Sequence, residues 1–245
     1  MTDFSYLKTN LDHLNARIET AAKKAARDPN EISLLMATKT RTPEEINAAI
    51  EFGYGLLGEN RVQELVEKAP HLLTKADLSD IKLITPRENH FIGQLQGNKV
   101  ADVCQVATCI QSVDRLRIAR RINDYCTLNH INMEVFIQVN TSREASKSGL
   151  LPEALFEFLA DIKPLTKLTI RGLMTIGLHS DNETNVRKGF ALLRNLRDES
   201  IEKGLLPDTA TELSMGMSGD LELAILEGAT MIRVGSDIFG QRDYS

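Results

Sequence analysis

A lysine stands at the end of the apolar run Ile32-Ser33-Leu34-Leu35-Met36-Ala37-Thr38-Lys39. A lysine that closes a buried strand points its ammonium group into the mouth of the sheet that carries it. Burial there lowers the amine's pKa, because desolvation disfavours the charged form, and the neutral amine attacks aldehydes to form a Schiff base. The plainer reading is an ammonium group that reaches past the strand into water. A second run, Met231-Ile232-Arg233-Val234, sets an arginine among apolar neighbours and leads into Gly235-Ser236. Arg233 cannot shed its charge, so it needs an acceptor, and a carboxylate from a neighbouring strand is the plainer reading. Gly235 and Ser236 offer a backbone without a side chain and a hydroxyl, which suits a phosphate. A third run, Leu213-Ser214-Met215-Gly216-Met217-Ser218-Gly219-Asp220, reads as a strand end leading into a short helix. Ser218 suits an N-cap there, and the amides at such a helix start attract anions.

Other patterns carry less. Gly53-Tyr54-Gly55-Leu56-Leu57-Gly58 satisfies GxGxxG, but it follows a helical segment and enters a strand, the reverse of a dinucleotide fingerprint. Gly53 reads better as a helix C-cap. GxxxxGK[ST] and HExxH do not occur, and the histidines are dispersed, with only His90 at a predicted strand. Cys104, Cys109 and Cys126 are odd in number and lack CxxC spacing, so they read as small buried hydrophobes.

Such residues need elements to position them. Tyr6, Leu7, Leu11, Leu14 and Ile18 mark an amphipathic N-terminal helix ending near Asp28-Pro29. Strand patterns follow at 32–38, 54–57, 90–93, 109–112, 133–139, 169–176, 212–215 and 231–234, and helical patterns at 43–52, 61–68, 115–126, 152–162, 184–203 and 220–227. Alternating buried strands and helices mean a parallel sheet covered by helices. Eight such units in 245 residues predict one α/β domain over 1–245, a (β/α)8 TIM barrel with an extra N-terminal helix, an open doubly wound sheet being the alternative. Thr42-Pro43-Glu44-Glu45 directly after the first strand gives a capping Thr and a Pro at the first helical position. In a barrel the ligand site lies at the C-terminal strand ends, where Lys39, Ser214, Arg233 and Gly235 fall.

Composition removes whole classes of function. Apolar residues make up 42% and charged residues 26%, which excludes disordered and collagen-like chains. A net charge of −5 provides no surplus to neutralise a nucleic-acid backbone. No run is long enough to span a membrane, and the N-terminus lacks a basic region followed by an apolar stretch, so an untargeted cytoplasmic chain is expected.

Taken together, the segments Met36-Ala37-Thr38-Lys39-Thr40, Gly58-Glu59-Asn60-Arg61-Val62-Gln63-Glu64, His90-Phe91-Ile92-Gly93-Gln94-Leu95-Gln96-Gly97-Asn98-Lys99, Arg171-Gly172-Leu173-Met174, Leu213-Ser214-Met215-Gly216-Met217-Ser218 and Ile232-Arg233-Val234-Gly235-Ser236 resemble the pyridoxal phosphate homeostasis protein (YggS/PROSC) family. That family is similar in fold to the barrel domain of alanine racemase. The resemblance implies pyridoxal 5′-phosphate as cofactor, held as a Schiff base on Lys39, with Arg233 facing the pyridine nitrogen. It implies that Ser214, Gly235 and Ser236 hold the phosphate, and that Asn60, His90 and Met174 line the site. Asn89 stands where the family often has Trp, and Gly219 where a polar or acidic residue is usual. The function implied is maintenance of pyridoxal phosphate and amino-acid pools by a non-catalytic monomer, with apo forms of pyridoxal phosphate enzymes as partners. The alternative is an amino-acid racemase or related enzyme on the same lysine. Racemisation needs a second base, and Tyr6, Tyr54, Tyr125 and Tyr244 fall in a helix, at a strand start, in another helix and in the tail. A barrel that binds another phosphorylated metabolite without covalent chemistry is a third reading.

Overall fold

The computed structural model describes residues 3–240. All eight apolar runs become strands: β1 Ser33–Ala37, β2 Tyr54–Glu59, β3 Thr85–Phe91, β4 Cys109–Val113, β5 Met133–Gln138, β6 Leu168–Met174, β7 Glu212–Ser214 and β8 Met231–Val234. They pair in parallel in chain order, and β8 returns to β1, which closes the barrel. The open-sheet alternative is thereby excluded. The helices are α1 Ser5–Lys24, α2 Pro43–Glu51, α3 Val62–Lys68, α4 Val100–Cys104, α5 Leu116–Leu128, α6 Leu155–Ile162, α7 Glu183–Glu202, α8 Leu221–Leu226 and α9 Ser236–Phe239. Among the described residues no helix is long and apolar enough to cross a membrane.

Two cores follow from the alternation of side chains along each strand. The larger lies between sheet and helices, and α1 joins it through Leu7, Leu11, Leu14 and Ile18. The smaller fills the barrel with Leu35, Leu56, Cys109, Phe136, Met174 and Met231. Gly58 makes room inside, since a Cβ there would come within 2.3 Å of Leu35. Cys104, Cys109 and Cys126 are buried and free, and burial pushes the Cys104 thiol up to about 12.

The sequence reading fails at three boundaries. β3 begins at Thr85 instead of 90, because its first half, Thr-Pro-Arg-Glu-Asn, is polar and looks like a loop. Glu88 in that half pairs with Arg171 at 3.0 Å, so the strand is stabilised by an ion pair where an apolar side chain is usual. α1 stops at Lys24, and Asp28-Pro29 opens a separate 3₁₀ turn in which the Asp28 side chain accepts from the Asn30 amide. Ser218 is not an N-cap, since α8 is preceded by Asp220, whose carboxylate accepts from the Met217 amide at 2.6 Å. The Thr42 cap stands as read, accepting from the Glu45 amide with Pro43 in the first turn.

Candidate functional site

Lys39 sits in the turn between β1 and α2, closed by an Arg41 amide to Thr38 carbonyl bond of 3.1 Å. Thr40 adopts φ 67°, a left-handed conformation that costs a residue with a Cβ about 1–2 kcal/mol. Two side chains of α3 hold the turn in place. Glu64 accepts from the Thr40 amide at 2.6 Å, and Lys68 donates to the Thr38 carbonyl at 3.0 Å while pairing with Glu59 at 2.7 Å and Glu64 at 2.8 Å. A hydrogen bond to a charged group contributes about 1.5–3 kcal/mol, enough to offset the strain. Burial pushes Glu64 up, but Lys68, the Thr40 amide and Arg61 more than reverse this and leave it below its ordinary value.

The turn opens onto a cavity of about 230 Å³ at the C-terminal strand ends, lined by Lys39, Arg41, Arg233, Ser218, Gly235 and Ser236 among others. Three of its lining residues are cationic, and among the described residues it has no carboxylate. Arg233 is 6% exposed and donates to the Ser214 hydroxyl at 2.8 Å and the Thr175 carbonyl at 2.7 Å, both neutral. Burial pushes it down to about 10, with only the more distant Asp220 acting the other way. The hydroxyls of Ser218 and Ser236 lie 3.1 Å apart on the rim. A Cβ on Gly235 would stand 3.0 Å from the Ala37 carbonyl, so the glycine keeps β8 close to β1 where the cavity begins. A Cβ on Gly219 would meet nothing within 4 Å. Arg17 of α1 braces this rim by pairing with Glu222 and Asp237 and donating to the Ser218 carbonyl at 2.8 Å.

The family model described as alanine racemase, N-terminal domain, matches residues 9–243. A pyridoxal phosphate homeostasis protein from Vibrio cholerae is 38% identical over 239 residues, covering 98% of each chain. The chain belongs to the pyridoxal phosphate homeostasis protein family. Among solved structures it is similar to PipY of Synechococcus elongatus with PLP bound, with TM-score 0.74, 31% identity and coverage of 91% of this chain and 100% of that one. It shares its fold with alanine racemase of Clostridium difficile, with TM-score 0.74 at 15% identity, over 98% of this chain but 58% of that one.

The structure of this family member brings together four of the eight residues singled out from the sequence. Lys39, Arg233, Gly235 and Ser236 line one cavity. Asn60 follows β2, is exposed, and lies off that lining. The other three also lie off that lining, because their strands carry them inside the barrel. His90 is 0% exposed, Met174 belongs to the inner apolar core, and Ser214 is 0% exposed with its hydroxyl already engaged by Gln111 at 2.7 Å and by Arg233. Ser214 therefore supports Arg233 from below. Asn89, the departure from the family pattern, accepts from Arg87 at 2.7 Å. Sequence reasoning missed Glu59, Glu64 and Lys68 behind the lysine turn, Arg17 behind the rim, and Gln111 beneath Ser214. Glu59 and Glu64 stood within a motif already noted, but nothing in their spacing says that they reach back to β1.

Proposed function

We propose that this chain holds pyridoxal 5′-phosphate at the barrel mouth, joined to Lys39 as a Schiff base. Its role is to keep the supply of that cofactor and the linked amino-acid pools in balance in the cytoplasm. The observation that carries this reading is the mouth cavity, with a lysine, two arginines and no carboxylate among the described residues. That donor set fits the cofactor: an amine for the aldehyde, hydroxyls and a side-chain-free backbone for the phosphate, and a buried cation for the ring. The PLP-bound PipY structure supports the choice of ligand.

When bound, the cofactor supplies an electron-withdrawing ring conjugated to the amine. The chain's own residues do the rest. Arg233 only donates hydrogen bonds, so a ring nitrogen facing it would have to accept and would stay unprotonated, which would weaken the ring as an electron sink. Gly235, Ser236 and Ser218 would hold the phosphate, and the Thr40 turn carries Lys39 to the cavity lining. Among the described tyrosines, Tyr6 donates to Glu45 at 2.6 Å, Tyr54 accepts from Asn15 near the opposite end of β2, and Tyr125 lies on α5. Tyr244 lies outside the described residues. With no tyrosine among the described residues placed over the cavity as a second base, we assign no robust turnover of amino acids. We read residues 1–245 as one monomeric barrel domain, with apo forms of pyridoxal phosphate enzymes as recipients of the cofactor.

The test is borohydride reduction of the protein loaded with pyridoxal phosphate, followed by peptide mapping. Label on Lys39, absent in Lys39→Ala, is the expected result. Label on Lys147, which donates to Glu144 and the Gly177 carbonyl, or on Lys99 would overturn the assignment. Interconversion of L- and D-amino acids at enzymatic rates, lost in Lys39→Ala, would establish the racemase alternative.

A further inference from the structure

Arg233 sits at one end of a hydrogen-bond chain that runs down the barrel interior. A guanidinium only donates, so the Ser214 oxygen at 2.8 Å accepts from it, and the hydroxyl's single proton must go elsewhere. It goes to the Gln111 Oε1 at 2.7 Å. That fixes the amide, whose Nε2 then faces the Nδ1 of His90 at 2.7 Å. An amide NH₂ only donates, so Nδ1 is bare and the imidazole proton sits on Nε2, directed at the Glu88 carboxylate at 2.8 Å. Glu88 accepts in turn from Arg171 at 3.0 Å. Every joint has one allowed direction, set by donors that cannot accept and a carboxylate that cannot donate. Gln111, His90 and Ser214 are each no more than 1% exposed, so water does not compete for these bonds.

We propose that Gln111 and His90 are positioning residues for the cofactor site: together they hold the Ser214 proton away from Arg233 and so fix which guanidinium N–H the arginine presents to the ring nitrogen. This rests on the function proposed above. Reversing Gln111 would turn its NH₂ toward Ser214, take away the acceptor of the hydroxyl proton, and leave that proton buried and unpaired beside Arg233, disturbing the arginine's place. The His90 tautomer prevents that reversal, because a bare Nδ1 facing the amide oxygen would leave two acceptors opposed. Links in series have non-additive effects, and the double-mutant cycle reads this directly.

The experiment uses the full chain with pyridoxal phosphate as probe, measuring its dissociation constant, its absorption maximum and its attachment to Lys39, with ¹⁵N NMR of His90 in the free protein. Gln111→Met keeps the side-chain volume and removes both polar ends, and Gln111→Glu keeps the shape but only accepts. Expected are a bare Nδ1 in the wild-type protein and a protonated Nδ1 in Gln111→Glu. Gln111→Met and Ser214→Ala are each expected to weaken binding about tenfold and shift the absorption maximum while the label stays on Lys39, and the double variant to do no more than either single one. Ser214→Thr, which keeps the hydroxyl, is expected to restore the wild-type maximum. Additive losses, an unshifted maximum in Gln111→Met, or a protonated Nδ1 in the wild-type protein would overturn the inference. Failure of the wild-type protein to attach the probe overturns the proposed function and this inference with it. Normal wild-type attachment with an indifferent Gln111→Met overturns the inference alone.

Discussion

Two arginines point into this barrel, and their surroundings are opposite. Arg171, on β6, is met by Glu212 at 2.6 Å, Glu134 at 2.9 Å and Glu88 at 3.0 Å. Arg233, on β8, is met by a hydroxyl and a carbonyl. Burial pulls Arg171 down, but Glu212, Cys109 and Glu88 more than reverse it and hold the guanidinium above its ordinary value; Arg233, lacking such partners, is pushed down to about 10. A buried cation that the protein saturates with carboxylates supports the fold. One that it leaves with neutral partners beside a cavity is what the proposed site would offer to an acceptor from outside. The two are linked, since the chain from Arg233 ends on Glu88, which Arg171 also holds.

The largest effect that could break the comparison is on stability. Arg171→Leu strands three carboxylates together and is expected to cost about 3 kcal/mol or more, read as the shift in urea midpoint. Arg233→Met removes a poorly paired cation, which offsets the loss of donors to Ser214 and Thr175, so its net change is expected within about 1 kcal/mol. Equal losses in the two variants would show that Arg233 is as structural as Arg171.

Acid should attack the charged layer next. Glu88 is held down to about 2, chiefly by its hydrogen bond to His90, against an ordinary value of 4.5. Its contribution is therefore complete above about pH 4.5 and is lost as pH falls toward 2, because the unfolded chain takes up the proton first. His90 is lowered by burial from 6.5, which gives the same sign from a higher starting point: the folded protein keeps it neutral, and stability declines below about pH 6.5. Urea midpoints measured from pH 8 down to 3 should fall on acidification, with a shallower fall below pH 4.5 in Glu88→Gln. A midpoint that rises on acidification would contradict both assignments.

On the ligand side, Arg233→Met is expected to weaken pyridoxal phosphate binding roughly tenfold to a hundredfold, the value of one hydrogen bond to a charged group. Equilibrium dialysis measures this. Retention of wild-type affinity would move Arg233 out of the site and leave the comparison without its functional half.

Much of this was legible in the sequence, and the exceptions have a common cause. The eight strands and the Thr42 cap are local patterns of apolar residues and turn chemistry, and apart from the polar first half of β3 they appear where the pattern puts them. Lys39, Arg233, Gly235 and Ser236 fall on one cavity because strand ends of a barrel converge by topology alone. Arg171 lay in a recognised motif, yet its partners are 37, 41 and 83 residues away and meet it only after the barrel closes. The β5–β6 register also shifts between Val135 and Phe136, so counting alternate residues does not show which way Arg171 faces. His90 and Ser214 were read as site residues and Gln111 as ordinary strand; only the closed interior shows that the three form one chain. Tertiary hydrogen bonds have no period for a sequence to display.

The smallest expected effect concerns the charges behind the lysine turn, which sharpen the comparison because they lie next to the cavity yet behave like Arg171. Lys68 is 11% exposed and serves Glu59, Glu64 and the Thr38 carbonyl, while Glu64 also takes the Thr40 amide. Glu64 thus accepts from two donors on one oxygen. Glu64→Gln keeps the shape but offers one accepting oxygen and one donating nitrogen without the negative charge. Placed where the two bonds converge, the retained oxygen can serve both the Thr40 amide and Lys68, each more weakly. The loss is expected to be about 1–2 kcal/mol, the difference between charged and neutral acceptors. With Thr40 at φ 67° relying on that bond, the turn should loosen before the barrel does. Hydrogen exchange at the Thr40 and Arg41 amides should therefore rise more than tenfold, with exchange in β4 and β5 unchanged. Labelling of Lys39 by pyridoxal phosphate and borohydride should persist but with weaker retention of the cofactor. If the turn stays protected in Glu64→Gln, the strained conformation is held by the β1–α2 connection itself, and the ionic cluster behind it only stabilises α3.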